Sequence, residues 1–275
     1  MRVDLSAQRL QDLEAFALEL AHAAAAEILP LFRVENGLED KGAAQGKAFD
    51  PVTAADRGAE AAIRAAVAAR FPDHGVIGEE YGEDRPDAEF VWVLDPIDGT
   101  RGFIAGVPLW TTLIALRHRG EPVVGMIAQP YLDEYFVGTA LGSRLVRQGS
   151  SQALKVRSCP QLTGAILGTT DPNSYFTPPE AAAFAQVRAA AKLTRVGGDA
   201  YFFAMVALGT MDLVIEGQAL KAWDIEAALP LIAGAGGLVT DWRGQPIGQG
   251  GGQMVIAGDR ACLDEALVAL RRSAV

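Results

Sequence analysis

A run of five apolar residues followed at once by two aspartates constrains the fold of this chain more than any other stretch. Residues 90–94, Phe-Val-Trp-Val-Leu, are rich in aromatic and β-branched side chains and predict a short buried strand. Asp95 and Asp98 come next, with a proline between them and Gly99-Thr100 behind. Ligands of α/β proteins usually bind where a strand ends in a loop at the sheet edge. The stretch therefore predicts two carboxylates held at such an edge by a rigid backbone.

The spacing of Asp95 and Asp98 lets both carboxylates converge on one point, which is unfavourable unless a cation lies there. An ordinary polar turn is the alternative, since Asp, Pro and Gly are common turn residues. Another predicted strand, 76–78, runs into Glu79 and Glu80 only sixteen residues before Asp95. If the two strands are neighbours, Glu79 comes close to Asp95, and this favours a metal site over a simple turn.

Two further acids stand at predicted helix starts and have a structural explanation beside a functional one. Asp56 follows Thr53 by three residues in a capping-box pattern, and Asp224 lies where an acid complements the helix dipole. The acids form an all-oxygen set: Glu79, Asp95, Asp98, Asp224 and, as a further candidate, Asp56. Such ligands suit Mg²⁺ or Mn²⁺ and suit Zn²⁺ poorly, and two such ions can clamp a phosphate and activate water. Metal-assisted phosphate hydrolysis is therefore the predicted chemistry.

Composition and charge limit the kinds of molecule to which the protein is expected to bind. Half of the 275 residues are hydrophobic and 21% are charged, as in a soluble globular protein. The net charge is −10 and no Lys/Arg run occurs, which argues against nucleic acid as a partner. Cys159 and Cys262 are too few for a disulfide framework and predict buried free thiols in a reducing compartment. Neither a signal peptide nor an uncharged stretch of about 18 residues is visible, so we expect a cytoplasmic protein without membrane contact.

The first half of the chain predicts helices followed by an antiparallel meander. Residues 6–33 show a helical apolar stripe behind Ser6 as N-cap, and the second helix follows the glycine-rich charged loop 34–49. That loop is either a functional flap or a disordered connection. Strands linked by short turns cover 111–138, and we expect 143–156 to continue them.

The second half predicts alternating strands and helices, which are typical of α/β layers. One helix is expected from residue 223 to about 233, followed by a glycine-rich stop. The sequence has no internal repeat and no obvious linker. We therefore expect one compact unit with two halves: residues 1–150, which carry most of the metal ligands, and residues 151–275, which complete the site.

Four motifs in a fixed order resemble the inositol monophosphatase superfamily of Mg²⁺-dependent, lithium-sensitive phosphatases. They are Asp-Pro-Val-Thr-Ala-Ala-Asp at 50–56, Gly-Glu-Glu at 78–80, Trp-Val-Leu-Asp-Pro-Ile-Asp-Gly-Thr at 92–100 and Trp-Asp-Ile-Glu-Ala-Ala at 223–228. The resemblance implies an αβαβα layered sandwich and a homodimeric enzyme. It also implies two or three Mg²⁺ ions per site, with Mn²⁺ as a possible substitute, and a small phosphorylated metabolite as substrate.

The resemblance also assigns roles by position. Metal ligands would be Glu79, Asp95, the carbonyl of Ile97, Asp98 and Asp224. Thr100 together with Asp56 would orient and deprotonate the attacking water, with Glu79 assisting through a metal. The backbone N–H groups of Gly99 and Thr100 would hold the phosphate, and Glu216 falls near the position that contacts a substrate hydroxyl.

Within the superfamily, the chain resembles the histidinol-phosphatase branch, which serves histidine biosynthesis. The supporting stretches are Asp-Gly-Thr-Arg-Gly-Phe at 98–103, Trp-Thr-Thr-Leu-Ile-Ala-Leu at 110–116, Thr-Thr-Asp-Pro at 169–172, Gly-Gly-Asp-Ala-Tyr at 197–201 and Leu-Lys-Ala-Trp-Asp-Ile at 220–225.

Histidinol phosphate carries an ammonium and an imidazole, so its pocket should offer acids, and Asp199 and Glu216 could serve. Arg101 would contact the phosphate. Asp199 as a simple N-cap is the alternative.

Other functions stay open at this point. Inositol phosphate is the leading rival substrate, and a nucleotide 3′-phosphate is less favoured because no adenine-stacking or basic pocket signal is visible. A phosphometabolite-binding module that has lost catalysis is the rival from another class. Such a binder needs no water-activating threonine, so the presence of Thr100 beside the acids favours an enzyme. Nucleophilic catalysis by Ser/His or Cys/His is poorly supported, because no Gly-x-Ser-x-Gly elbow occurs and the His residues do not cluster.

Overall fold

The computed structural model of the protein describes residues 5–34, 39–40, 51–247 and 250–275. Its strands are β1 (Glu39–Asp40), β2 (Pro51–Val52), β3 (Gly75–Gly78), β4 (Gly82–Asp84), β5 (Phe90–Asp98), β6 (Thr111–His118), β7 (Glu121–Gln129), β8 (Glu134–Thr139), β9 (Gly142–Arg147), β10 (Ser150–Ala153), β11 (Ile166–Thr169), β12 (Leu193–Val196), β13 (Leu213–Glu216), β14 (Leu238–Thr240) and β15 (Met254–Ala257). Its α-helices are α1 (Ala7–Ile28), α2 (Ala54–Arg70), α3 (Thr100–Ile104), α4 (Pro172–Tyr175), α5 (Pro178–Ala190), α6 (Asp199–Ala207), α7 (Ala222–Ile225), α8 (Ala228–Gly234) and α9 (Arg260–Leu270).

The larger sheet has eight strands in the order β10-β9-β8-β7-β6-β5-β3-β4. From β5 to β10 each strand pairs antiparallel with the next, which confirms the predicted meander. Strand β3 runs parallel to β5, and Gly78 lies opposite Leu94. The two strands that precede Glu79 and Asp95 are therefore neighbours and end side by side, as the sequence predicted.

The smaller sheet has five strands in the order β12-β11-β13-β15-β14. Helices α1 and α2 pack on one face of the larger sheet, whereas α6 and α8 fill the space between the two sheets. Helices α5 and α9 cover the outer face of the smaller sheet. The resulting order of layers is helix, sheet, helix, sheet, helix, which confirms the predicted five-layer sandwich.

The capping residues predicted at the starts of the first two long helices are confirmed. The hydroxyl of Ser6 accepts the N–H of Arg9 at 3.2 Å and caps α1. Thr53 and Asp56 form the predicted capping box, in which the Thr53 N–H donates to Asp56 Oδ2 at 2.8 Å. Both cysteines are buried free thiols, as expected.

The single helix predicted over 223–233 is wrong. The structure has two short helices, α7 and α8, separated by a turn at Glu226 and Ala227. Pro230 explains the break, because it has no N–H to donate to the carbonyl of Glu226, and a continuous helix needs that bond. The N–H of Leu229 bonds that carbonyl instead, at 3.3 Å. The break lets the chain change direction just after Asp224.

Several expectations stay predictions. Most of the 34–49 loop lies outside the described residues. Within it, β1 is described and pairs antiparallel with β2. None of the helices in the described ranges is long and apolar enough to cross a bilayer. The division into halves at residue 150, the homodimer and the cytoplasmic location stay predictions.

Candidate metal centre and active site

Three carboxylates from two distant parts of the chain meet at one edge of the larger sheet. Asp95 and Asp98 end strand β5, and Asp224 lies in α7; one oxygen of each lies within 4.8 Å of the others. Two unit charges at that distance repel each other by roughly 3 kcal/mol at an effective dielectric constant of about 20. The fold therefore concentrates negative charge at a point where a cation would stabilise it.

An irregularity in β5 brings its two aspartates together. Along a regular strand, residues three apart point to opposite faces of the sheet. Here Asp95 lies opposite Leu113 and Asp98 opposite Thr111, so β5 advances three residues while β6 advances two. The extra residue is a β-bulge, which re-aims the following side chain. The proline between the aspartates is the sequence signal, because proline within a strand occurs mainly at edges and bulges.

The acids of the cluster resist ionisation. Burial raises the pKa of Asp95 well above its usual range, and the charges of Glu79 and Asp98 raise it further. The pKa of Asp98 is also well above its usual range because of burial, then because of Asp199 and Asp224. Burial raises the pKa of Asp224 to about 6. A hard divalent cation would favour the charged form of all three, so this set of oxygen donors fits Mg²⁺.

Backbone hydrogen bonds orient two of these carboxylates. Oδ2 of Asp98 accepts the N–H of Ala200 at 2.7 Å, in the first turn of α6. Oδ2 of Asp224 accepts the N–H of Lys221 at 2.6 Å, just before α7 begins. Each bond fixes one oxygen of the side chain and lowers the pKa that burial has raised. The carboxylates are thus held in place by rigid backbone before any ligand binds.

The residues predicted to activate water lie around Asp95. Glu79 follows β3, and its N–H donates to the carbonyl of Leu94 at 3.3 Å. Both Glu79 and Asp56 are close enough to raise the pKa of Asp95. The hydroxyl of Thr100 donates to the carbonyl of Ile97 at 3.0 Å. The structure therefore brings Glu79 and Asp56 to the cluster, while the pairing of Thr100 with Asp56 stays a prediction.

A second acidic group lies beside the cluster. Glu216, at the end of β13, accepts the N–H of Thr170 at 2.7 Å and its hydroxyl at 3.1 Å. Burial nevertheless raises the pKa of Glu216 to about 8, and the charge of Asp199 contributes. Burial also raises the pKa of Asp199 to about 6, against the attraction of Arg101. Glu216 and Asp199 are therefore close to each other, and the attraction of Arg101 for Asp199 does not offset the effect of burial.

The alternative role of Asp199 as a simple N-cap is wrong. Gly198 holds the N-cap position of α6, and Asp199 follows at the first helical position with φ of +43°. Asp98, from the other sheet, accepts the helix N–H of Ala200 instead. The Asp199 side chain lies against Gly99, where a Cβ would come within 3.2 Å of its Cγ. Asp98, which is remote in sequence but close in space, therefore binds the start of α6 in place of a local cap.

Tyr175 is a residue of this site that no sequence motif indicated. Its ring lies at the end of α4 under the Arg101 guanidinium, 4.9 Å from the ring centroid. Burial raises the pKa of Tyr175, and the charges of Arg101, Asp199 and Asp98 all act on it. The aromatic ring therefore borders the predicted substrate residues. The available signal was Asp171-Pro172, an N-cap and first-turn pair that starts α4.

The chain has relatives over most of its length. The sequence model described as the inositol monophosphatase family matches residues 9–275. Bifunctional phosphatase IMPL2, chloroplastic, of Arabidopsis thaliana is 40% identical over 244 residues, which cover 88% of this chain and 68% of that protein. A histidinol-phosphatase of Chlorobaculum parvum is 36% identical over 195 residues, covering 71% of this chain and 74% of its own. A solved inositol monophosphatase from Zymomonas mobilis has a TM-score of 0.83 and 38% identity, covering 97% of this chain and 100% of its own.

Proposed function

We propose that this chain, which belongs to the inositol monophosphatase family, hydrolyses L-histidinol phosphate to L-histidinol and phosphate. It is a phosphoric monoester hydrolase, since relatives such as the histidinol-phosphatase of Chlorobaculum parvum are phosphatases, and its family is generally Mg²⁺-dependent. The meeting of Asp95, Asp98 and Asp224 within 4.8 Å carries the metal-dependent part of the proposal. Two acids with raised pKa values beside that cluster, Asp199 and Glu216, carry the choice of substrate.

In the proposed mechanism, the ligands are Glu79, Asp95, the carbonyl of Ile97, Asp98 and Asp224. Bound Mg²⁺ would supply Lewis-acid polarisation of the phosphate and lower the pKa of water. The protein's own contribution is orientation, since Asp98 and Asp224 are fixed by backbone N–H groups before substrate arrives.

Asp56 lies on the Asp95 side of the cluster, where together with Thr100 it would orient and deprotonate the attacking water, with Glu79 assisting through a metal.

The phosphate would lie against the turn at Gly99. This residue has φ of +81°, a left-handed conformation that favours glycine, and the N–H of Thr100 follows directly. A side chain at position 99 would also approach Asp199, so glycine satisfies two constraints there. Arg101 begins beside the same turn and would offer its guanidinium to a phosphate oxygen in exchange for its contact with Tyr175.

The leaving group of histidinol phosphate is cationic, and this matches the electrostatics of the remaining pocket. A carboxyl group whose pKa is raised by burial gains most from a nearby positive charge. Glu216 and Asp199 have such raised pKa values, and an ammonium or imidazolium beside them would restore their charged form. The relative named histidinol-phosphatase supports the same substrate.

Inositol 1-phosphate is the second candidate, because the similar structure from Zymomonas mobilis is an inositol monophosphatase. The test is phosphate release with Mg²⁺ from L-histidinol phosphate and from inositol 1-phosphate at equal concentration, with EDTA as the metal control. We expect EDTA-sensitive release with a strong preference for L-histidinol phosphate. Preference for the inositol ester would retain the metal mechanism and overturn the substrate. No release from either compound would overturn both.

Two glutamine variants sharpen the substrate test. Glu216→Gln should raise KM for L-histidinol phosphate by about 10-fold, because a charge-assisted bond is lost, and should change inositol 1-phosphate hydrolysis less. Glu14→Gln is the matched control, since Glu14 is also a buried glutamate but pairs with Arg144 on the opposite face of the larger sheet. Equal losses for both substrates in Glu216→Gln would contradict a role in recognising the cationic part.

A further inference from the structure

A buried ion pair joins the segment after Asp224 to the larger sheet. Nε of Arg117 donates to Oε2 of Glu226 at 2.7 Å, and Nη2 donates to Oε1 in a second, shorter bond. The side chains are 12% and 2% exposed, respectively. Two parallel bonds between a guanidinium and a carboxylate fix orientation as well as distance. The pair therefore restricts both position and rotation of the backbone at Glu226.

The position of this pair relates it to the acidic cluster. Arg117 lies on β6 opposite Val91 of β5, four residues before Asp95 on that strand. Glu226 follows Asp224 by two residues, in the turn between α7 and α8. The pair thus anchors the turn that follows Asp224 to β6, the neighbour of the strand that carries Asp95 and Asp98.

Close backbone packing supports the same attachment. A Cβ at Gly125, on β7, would come within 2.1 Å of the Ala227 carbonyl oxygen, so the turn lies directly on the sheet. The hydroxyl of Ser143 donates to the carbonyl of Leu231 at 2.7 Å, farther along α8. These contacts fix α8 on the larger sheet. Of the three attachments, the bond between Arg117 and Glu226 is nearest to Asp224 along the chain.

Repulsion between the carboxylates acts against this attachment. Asp224 approaches Asp95 and Asp98 within 4.8 Å, and like charges so close push α7 away from the sheet. We propose that Arg117 and Glu226 are positioning residues, which hold Asp224 at the metal centre against this repulsion and thereby set the affinity for Mg²⁺. The inference rests on the proposed metal-dependent function. Neither residue is needed as a ligand, since the pair acts through the backbone between Asp224 and Glu226.

A second ion pair with two parallel bonds offers a control whose carboxylate is equally buried, although its arginine, Arg157, is 41% exposed. Nε of Arg157 donates to Oδ1 of Asp212 at 2.7 Å, and Nη2 donates to Oδ2 at 2.5 Å. The Asp212 side chain is 1% exposed and also accepts the N–H of Ile166 at 2.7 Å. Asp212 directly precedes β13, at the end opposite Glu216. Loss of this pair should destabilise the fold without changing the metal centre.

The experiment compares Glu226→Gln with Asp212→Asn, two substitutions of a buried carboxylate by its amide. Mg²⁺ binding to each full-length protein is measured by titration calorimetry, and thermal unfolding is followed in EDTA. Both variants should lose stability in EDTA. Only Glu226→Gln should bind Mg²⁺ about 10-fold more weakly, as expected for a group that orients a ligand. Its kcat at saturating Mg²⁺ should stay within about twofold of the wild type.

A milder variant covers the case in which Glu226→Gln fails to fold. Arg117→Lys keeps the charge but loses the second parallel bond, so it should weaken Mg²⁺ binding by a smaller factor. Unchanged Mg²⁺ affinity in either folded variant would overturn the inference, as would an equal loss in Asp212→Asn. A wild-type protein that binds no Mg²⁺ would instead overturn the proposed metal site, and the first titration reveals that case separately.

Discussion

Buried titratable groups lie at both ends of strand β5, but their surroundings differ. At the start of the strand, Phe90 belongs to a stack of rings in which polar atoms bond to one another. At its end, Asp95 and Asp98 meet Asp224 with raised pKa values and strong mutual repulsion. One end is stabilised by contacts within the protein, whereas the other would be stabilised by the proposed metal.

The aromatic end is built around His74. Its ring stacks on Phe71 at 4.5 Å and on Phe90 at 4.8 Å, and Phe90 stacks in turn on His118 at 4.7 Å. Nε1 of Trp92 donates to Nδ1 of His74 at 3.1 Å, so this nitrogen acts as the acceptor of a neutral ring. Burial, reinforced by nearby positive charge, lowers the pKa of His74 to about 4. The ring therefore stays neutral at ordinary pH and serves as core.

The contrast teaches that buried titratable groups do not by themselves mark a functional site. His74 is strongly perturbed, but it is satisfied by a donor and two aromatic faces. The pKa values of the carboxylates at the other end are raised first by burial and then by neighbouring negative charges, and a bound cation would counteract both effects. Perturbation that the protein leaves uncompensated is the more specific signal of function.

The largest expected effect is that of Asp98→Asn on activity. We expect a loss in kcat of about 10³-fold, the upper range for removal of one charge-stabilising group. The fold should persist, because the amide oxygen can still accept the N–H of Ala200. In EDTA the variant should unfold at a higher temperature than the wild type, since repulsion is relieved. The measurements are phosphate release and thermal unfolding.

Glu89→Gln is the control for this variant at the aromatic end. Glu89 is 54% exposed and pairs with His118 and Arg119, so its neutralisation should leave kcat unchanged. An active Asp98→Asn protein would remove the functional distinction between the two ends of the strand.

The second effect concerns stability at the other end. His74→Ala should lower the free energy of unfolding by about 3 kcal/mol, because it opens a cavity and leaves the Trp92 N–H without its acceptor. Urea unfolding measures the loss, and kcat well below the unfolding transition should stay within about twofold of the wild type. His22→Ala, at an exposed position of α1, should change stability by about 0.5 kcal/mol or less. A large drop in kcat for His74→Ala would mean that the two ends are coupled.

The smallest effect is a difference in how stability depends on pH: Glu216, beside the acidic cluster, and His74, at the aromatic end, should give opposite signs. The folded pKa of Glu216, about 8, lies above its usual 4.5. Its contribution to stability is therefore present below pH 4.5 and is lost as the pH rises through 8. For His74 the folded pKa of about 4 lies below 6.5, so its contribution is present above pH 6.5 and is lost as the pH falls through 4.

Urea unfolding in EDTA as a function of pH tests this pair of signs. Between about pH 6 and 8 the free energy of unfolding of the wild type should fall by about 2 kcal/mol more than that of Glu216→Gln, since one pKa unit corresponds to about 1.4 kcal/mol. Between about pH 4 and 6.5 the wild type should gain stability with rising pH relative to His74→Phe. Parallel curves for the wild type and Glu216→Gln would contradict the proposed environment of Glu216.

Sequence patterns predicted the elements of this site well where the signal is local. The capping box at Thr53 and Asp56 was expected and is present, because both partners lie in one helical turn. The neighbouring ends of β3 and β5 followed from strand signals and short spacing. The helix over 223–233 was wrong because Pro230 removes one backbone bond, an effect that an apolar pattern does not register.

Long-range contacts between side chains do not follow from sequence patterns. Tyr175 reaches Arg101 only after α4 folds beside the cluster, and neither residue carries a motif that names the other. Arg117 and Glu226 are separated by 109 positions, so their pairing follows from how α8 packs on the sheet. The alternative capping role of Asp199 is not realised, because Asp98, 102 positions from Ala200, accepts the helix N–H of Ala200.

The sequence by itself determined which residues could bind a divalent cation, since carboxylates after a buried strand and at helix starts are local features with local causes. Only the tertiary structure decided that they converge. The bulge between Asp95 and Asp98 turns two side chains to one side, and the packing of α7 adds Asp224 from the other half of the chain. Spacing along the chain specifies backbone geometry over a few residues, whereas the distance between remote carboxylates depends on the packing of whole layers.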